Sequence, residues 1–131
     1  AGDDERLGVC LDTCHSFASG YELRSAAGVD STVEEFERQV GFDRLALVRA
    51  NDSVVELGAA RDRHANIGEG CIGAAGFARL LEHPRLRAVP WILEVPGDGQ
   101  GPDLKQVNRL RELAGLPTVA PEAVALKAAP R

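Results

Sequence analysis

Methionine is absent from all 131 residues, position 1 included. That predicts a chain that begins downstream of its own translation start. Aromatic residues make up only 5%, so a core must rely on aliphatic side chains. The three cysteines, Cys10, Cys14 and Cys71, are odd in number and too few for a disulfide scaffold, which predicts reduced thiols in a reducing compartment. The Cys10 to Cys14-His15 spacing is one residue too long for haem attachment. No apolar run approaches the roughly 20 residues of a membrane span, and the opening AGDDERLG is too polar for a signal peptide. Together these absences predict a cytoplasmic protein with no membrane partner. Positive charge is also in deficit, with 15 Lys+Arg against 20 Asp+Glu and a net charge of −5. This argues against nucleic-acid binding by bulk charge. A local basic rim stays open, as does a metal site whose cations meet phosphate directly.

Hydrophobic residues at 44% and charged residues at 27% describe a chain able to bury the core of one domain. Leu7–Leu11, Arg44–Val48 and Ala88–Leu93 are apolar runs suited to buried strands, and each ends abruptly in polar residues. Ser31-Thr-Val-Glu34 has capping-box spacing, and Val33, Phe36 and Val40 follow at helical intervals, which predicts a helix over 31–41. Further helices are predicted over 75–82 and over 103–114, the last stopped by Gly115 and Pro117. A long polar segment, 52–72, is left as a loop. Three strand–helix units with strands apolar on both faces imply a parallel sheet covered by crossover helices. Polar residues collect at the C-terminal ends of the strands, where α/β barrels place their chemistry. Three units cannot close an eight-stranded barrel of about 250 residues. The expectation is an α/β fold made of the C-terminal three βα units of a TIM (β/α)8 barrel, a fragment lacking the N-terminal strands, rather than a small open sheet. Residues 1–116 would form the partial barrel, and the Ala/Pro-rich tail 117–131 would be disordered.

The polar residues at the strand ends and in the long loop are Asp12, His15, Arg49, Asp62, His64 and Glu94. Mixed imidazole and carboxylate donors suit zinc or another first-row divalent ion. Asp62 and His64 are two apart in extended chain, so they point to one side and could share an ion. Solvated loop charges and hydrogen-bonded histidines would explain the same spacing.

Four segments in order carry a more specific signal. Gly8-Val-Cys-Leu-Asp-Thr-Cys-His15 continuing to Tyr21, Ala50-Asn-Asp-Ser53, Asp62-Arg-His-Ala-Asn-Ile-Gly-Glu-Gly70 with Ile72-Gly73, and Ile92-Leu-Glu94 together resemble the endonuclease IV family of abasic-site nucleases. The resemblance spans about residues 7–95. It implies a TIM barrel carrying a multinuclear zinc cluster and cleaving the phosphodiester 5′ to an abasic site in double-stranded DNA, in base-excision repair. By motif, Asp12, His15, Asp62, His64 and Glu94 match zinc ligands. The positions of His15, Asp62 and His64 share one zinc in the family, a site that could be complete here. Those of Asp12 and Glu94 help hold a second. The remaining ligands would lie before residue 1. Zinc suits the reaction because it supplies a hydroxide nucleophile at neutral pH and neutralises phosphate oxygens.

The sequence departs from the family at Arg49, where the motif has a histidine ligand. A guanidinium stays protonated and cannot ligate a metal. It would repel the cation and could instead bond Asp12 or Glu94, which predicts a weakened second metal site. The family's lysine after Asn-Asp-Ser is Val54 here. Arg49, Arg61 and Arg63 could form a basic rim, with Arg63 the candidate contact to a DNA phosphate. Glu69 is a candidate partner for a metal-bound histidine. Cys10 and Cys71 read as small apolar fillers, Cys14 as a stray donor, His83 as a surface residue, and Trp91 as packed against a helix. The fragment alone is expected to be inactive, and the full-length protein monomeric. Two other readings stay open: a sugar isomerase or epimerase on the same kind of metal-dependent barrel, and a degenerate paralogue that binds DNA without cutting it.

Overall fold

Residues 4–122 are described by the structure, a computed structural model. In chain order the elements are β1 (Val9–Asp12), α1 (Thr13–Ala18), α2 (Ala26–Gln39), β2 (Leu45–Ala50), β3 (Asp52–Ser53), β4 (His64–Ala65), α3 (Gly73–Glu82), α4 (Pro84–Arg87), β5 (Trp91–Leu93) and α5 (Leu104–Leu113). A 3-10 turn over Phe42–Arg44 leads from α2 into β2.

The three apolar runs become one parallel sheet in the order β1-β2-β5, as their two-sided apolarity requires. Register places Asp12 beside Arg49, and Arg49 beside Ile92, in one row across the sheet. Helices cover one face. Val48 on the central strand is fully buried there, in a core that includes Phe17, Val29, Phe77, Leu80 and Leu86. Burial of each such side chain contributes roughly 1.5–3 kcal/mol. On the opposite face, Cys10 and Arg49 are exposed and Ile92 is 49% exposed. β3 and β4 form a separate antiparallel pair, Asp52 opposite Ala65 and Ser53 opposite His64, standing beyond the end of β2.

Several expected boundaries move, each for a local reason. α2 starts at Ala26, five residues ahead of the expected position, because the Ser25 hydroxyl caps it by accepting from the Gly28 N–H at 3.0 Å. Ser31 and Glu34 therefore lie inside the helix, where Val29 and Val33 supply the buried stripe. α1 was not expected. It is six residues long and is capped by Asp12, whose Oδ1 accepts from the His15 N–H at 2.8 Å. α5 agrees with its prediction to within a residue at each end and is capped by Asp103.

Past α5, Val119 exchanges two hydrogen bonds with the Asn108 side chain, and Arg111 donates to the Pro117 carbonyl. The start of the expected loose tail is thus tied to the helix, while 123–131 lie outside the described residues. His83, expected at the surface, is half-buried, stacked on Phe42 and capping α4. Trp91 donates to the Leu86 carbonyl at 2.8 Å. Among the described residues no helix is long and apolar enough to cross a membrane.

Candidate metal centre at the sheet edge

The C-terminal ends of β1, β2 and β5 and the β3–β4 pair converge at one edge of the sheet. Asp12 arrives on β1, Arg49 and Asn51 at the end of β2, Glu94 one residue past β5, and His64 on β4. Two overlapping groups of metal-capable donors result. One comprises Asp12, His64 and Glu94, the other Cys14, Asp62 and His64, and within each group the donor atoms lie within 4.8 Å of one another. His64 belongs to both.

The surroundings of His64 bear directly on whether a cation fits. Its Nδ1 is 3.1 Å from the Glu94 carbonyl oxygen, and its Nε2 is 3.2 Å from Asp62 Oδ1. Carbonyl and carboxylate oxygens only accept, so a neutral ring satisfies just one of these contacts. A second proton would complete the other, or a cation held by His64 and Asp62 would. The shared cation is the arrangement found at metal-bound histidines, where one ring nitrogen donates to a carbonyl and the other faces the ion. Imidazole and carboxylate donors together suit a borderline ion such as zinc. The donor set therefore fits the implied metal.

Cys14 enters this group, whereas His15 does not. The Cys14 side chain is buried, and its S–H donates to the Arg63 carbonyl at 3.3 Å. Burial pushes its thiol up to about 11, helped by the neighbouring Asp62 carboxylate. His15 sits exposed on the first turn of α1 and belongs to neither donor group. Asp12 and His15, matched to ligands by the family motif, also have the spacing of a helix cap, and Asp12 Oδ1 accepts the His15 N–H.

Arg49 pairs with Glu94 rather than Asp12, through a single contact from Nε to Oε1 at 3.2 Å. Arg61 and Arg63 are exposed beside the site. Glu69 is also exposed, and its carboxylate makes no hydrogen bond or ion pair among the described residues.

The organising carboxylate is instead Asp52, which sequence reasoning missed. It is fully buried and accepts the backbone N–H groups of Ser53, Gly68, Gly70, Ile72 and Gly73 at 2.8–3.1 Å. The chain wraps it so closely that a Cβ on Gly70 would lie 2.4 Å from the Ser53 carbonyl oxygen and 2.7 Å from Asp52 Oδ1. Asn51 beside it is equally buried and touches both flanking strands. Two polar residues directly after an apolar strand were the available signal.

Parallel βα units with a donor cluster at the carboxyl edge of the sheet define an α/β-barrel protein built around a metal-capable site. The chain belongs to the xylose isomerase-like TIM barrel family, whose model matches residues 2–115. It is 46% identical over 111 residues to a protein of Methanoculleus marisnigri named probable endonuclease 4, covering 85% of this chain and 39% of that one. A protein of the same name from Oleidesulfovibrio alaskensis is 49% identical over 112 residues, with 84% and 38% covered. The crystal structure of endonuclease IV from Thermus thermophilus matches with a TM-score of 0.68 and 35% identity over 86% of this chain and 39% of that chain. The chain thus spans about two fifths of the length of these relatives.

Proposed function

We propose that, within a protein of its relatives' full length, this chain supplies part of a zinc centre that hydrolyses the phosphodiester 5′ to abasic sites in double-stranded DNA. The observation that carries this reading is the convergence of His64 with Asp62, Cys14, Asp12 and Glu94 at the carboxyl edge of the sheet, in a chain whose relatives are named endonucleases. Asp12, Asp62, His64 and Glu94 would hold metal, with His15 the further ligand that the family resemblance implies. A divalent ion there would supply a nucleophile at neutral pH and neutralise phosphate oxygens.

The chain's own residues do the positioning. The Glu94 carbonyl fixes the His64 ring and Asp62 faces its second nitrogen. Arg63, exposed between Asp62 and His64, would meet a DNA phosphate. Arg49 occupies the Glu94 carboxylate with a fixed positive charge, so a second metal would be held weakly. The 131-residue chain alone would bind metal without cutting DNA.

The test is nicking of a duplex with one abasic site by this chain joined to the part of the Methanoculleus marisnigri relative that it does not match. Chelator-sensitive cleavage on the 5′ side is expected. A folded, zinc-containing chimera that nicks neither as it stands nor with Arg49→His would overturn the nuclease reading and favour a sugar substrate or binding alone.

A further inference from the structure

We propose that Asn51 is a positioning residue whose single carboxamide ties the ends of β1 and β5 together and thereby sets the spacing of the metal donors. The proposal rests on the metal reading above. β1 and β5 do not touch in the sheet, since each pairs only with β2 between them. Asn51 follows the central strand and is 0% exposed.

Its Oδ1 accepts the Glu94 N–H at 2.9 Å, and its Nδ2 donates to Asp12 Oδ2 at 3.4 Å. Its own backbone is locked by Thr13, whose Oγ1 accepts the Asn51 N–H at 2.9 Å and donates to its carbonyl at 2.6 Å. These two bonds fix the backbone from which the carboxamide projects.

The reach of this one side chain coincides with a whole donor group. Asn51 touches Asp12 directly. It holds the Glu94 peptide by its N–H, and the carbonyl of that same residue accepts from His64. Asp12, His64 and Glu94 are the three residues whose donor atoms come together. Glu94 lies just past β5, so without Asn51 its N–H has no ladder partner. Asn51 presents a donor and an acceptor at once, which neither a carboxylate nor an apolar side chain of the same size can do. Residues that orient ligands in this way typically control metal affinity by about 10–100-fold.

The test is a Co2+ titration of the whole chain, followed by the visible absorption of bound cobalt, for the native protein, Asn51→Leu and Asn51→Ala. Circular dichroism of the metal-free proteins is recorded in parallel. Folded variants are expected to bind Co2+ about 10–100-fold more weakly, with an altered absorption envelope that lost stability alone would not produce. A folded variant with native affinity and a native spectrum overturns the positioning role. A native chain that binds no Co2+ overturns the metal reading beneath it, a distinguishable failure. Should both variants unfold, amide exchange of Glu94 in the native chain decides. Slow exchange supports the Asn51 bond, and exchange at the rate of an open loop removes it.

Discussion

Arg49 shows how one residue redistributes charge at the site without much effect on stability. Its side chain is 51% exposed and its partner Glu94 33%, and such pairs contribute less than about 1 kcal/mol. Replacing it should therefore leave folding nearly unchanged while releasing a carboxylate and adding an imidazole donor. Arg49→His is expected to raise the zinc bound per folded chain, measured by elemental analysis after dialysis. Unchanged zinc content would mean that Arg49 does not limit the second metal.

Away from the site, Glu22 tests a simpler piece of electrostatics. Its carboxylate is held down to about 2 by hydrogen bonding to Arg24, against an ordinary value of 4.5. A folded-state value below the unfolded one gives stability that is complete above about pH 4.5 and is lost as pH falls toward 2. The stability difference between the native chain and Glu22→Gln should shrink across that window in acid titrations of unfolding. A constant difference would show that folding does not lower the Glu22 pKa and would contradict this account.

At the scale of elements, the β3–β4 pair and the turn into α3 are organised around one buried carboxylate. Asp52 collects backbone amides from residues up to 21 positions away. Asp52→Ala leaves these donors without their acceptor, and each buried amide so orphaned costs about 1–3 kcal/mol. A loss of at least about 3 kcal/mol is expected in urea unfolding, and a loss below about 1 kcal/mol would show that the loop closes by other means. Asp52→Asn, which keeps one acceptor oxygen, should cost less.

This scale also shows what the sequence could and could not reveal. The three parallel strands were readable because their apolarity is local and continuous. α1 was not, because six residues carry little periodicity and its cap, Asp12, also looks like a ligand. The two-residue strands β3 and β4 have no pattern of their own. The donors Asp12, Asp62, His64 and Glu94 could be named from residue type and motif. Asn51 and Asp52 could not be given roles, since their partners are Glu94 and the amides of residues 68–73, distant in sequence and mostly backbone.

For the whole molecule, the open sheet face and the site belong to one geometry. Cys10, Arg49 and Ile92 lie exposed where a complete barrel has its interior, and the chain covers only about two fifths of its relatives' length. The donors nevertheless assemble within these residues, because strands, hairpin and the Asn51 and Asp52 clamps are all contributed here. On the function proposed above, metal binding should be measurable in this chain by itself, apart from any DNA cleavage. Zinc content of the purified chain, native beside His64→Ala, tests this most directly, because His64 is shared by both donor groups. Zinc retained stoichiometrically by the native chain and lost from a still-folded His64→Ala variant is the expected result. Zinc absent from the native chain, or held equally by the variant, would contradict a metal centre at this edge of the sheet.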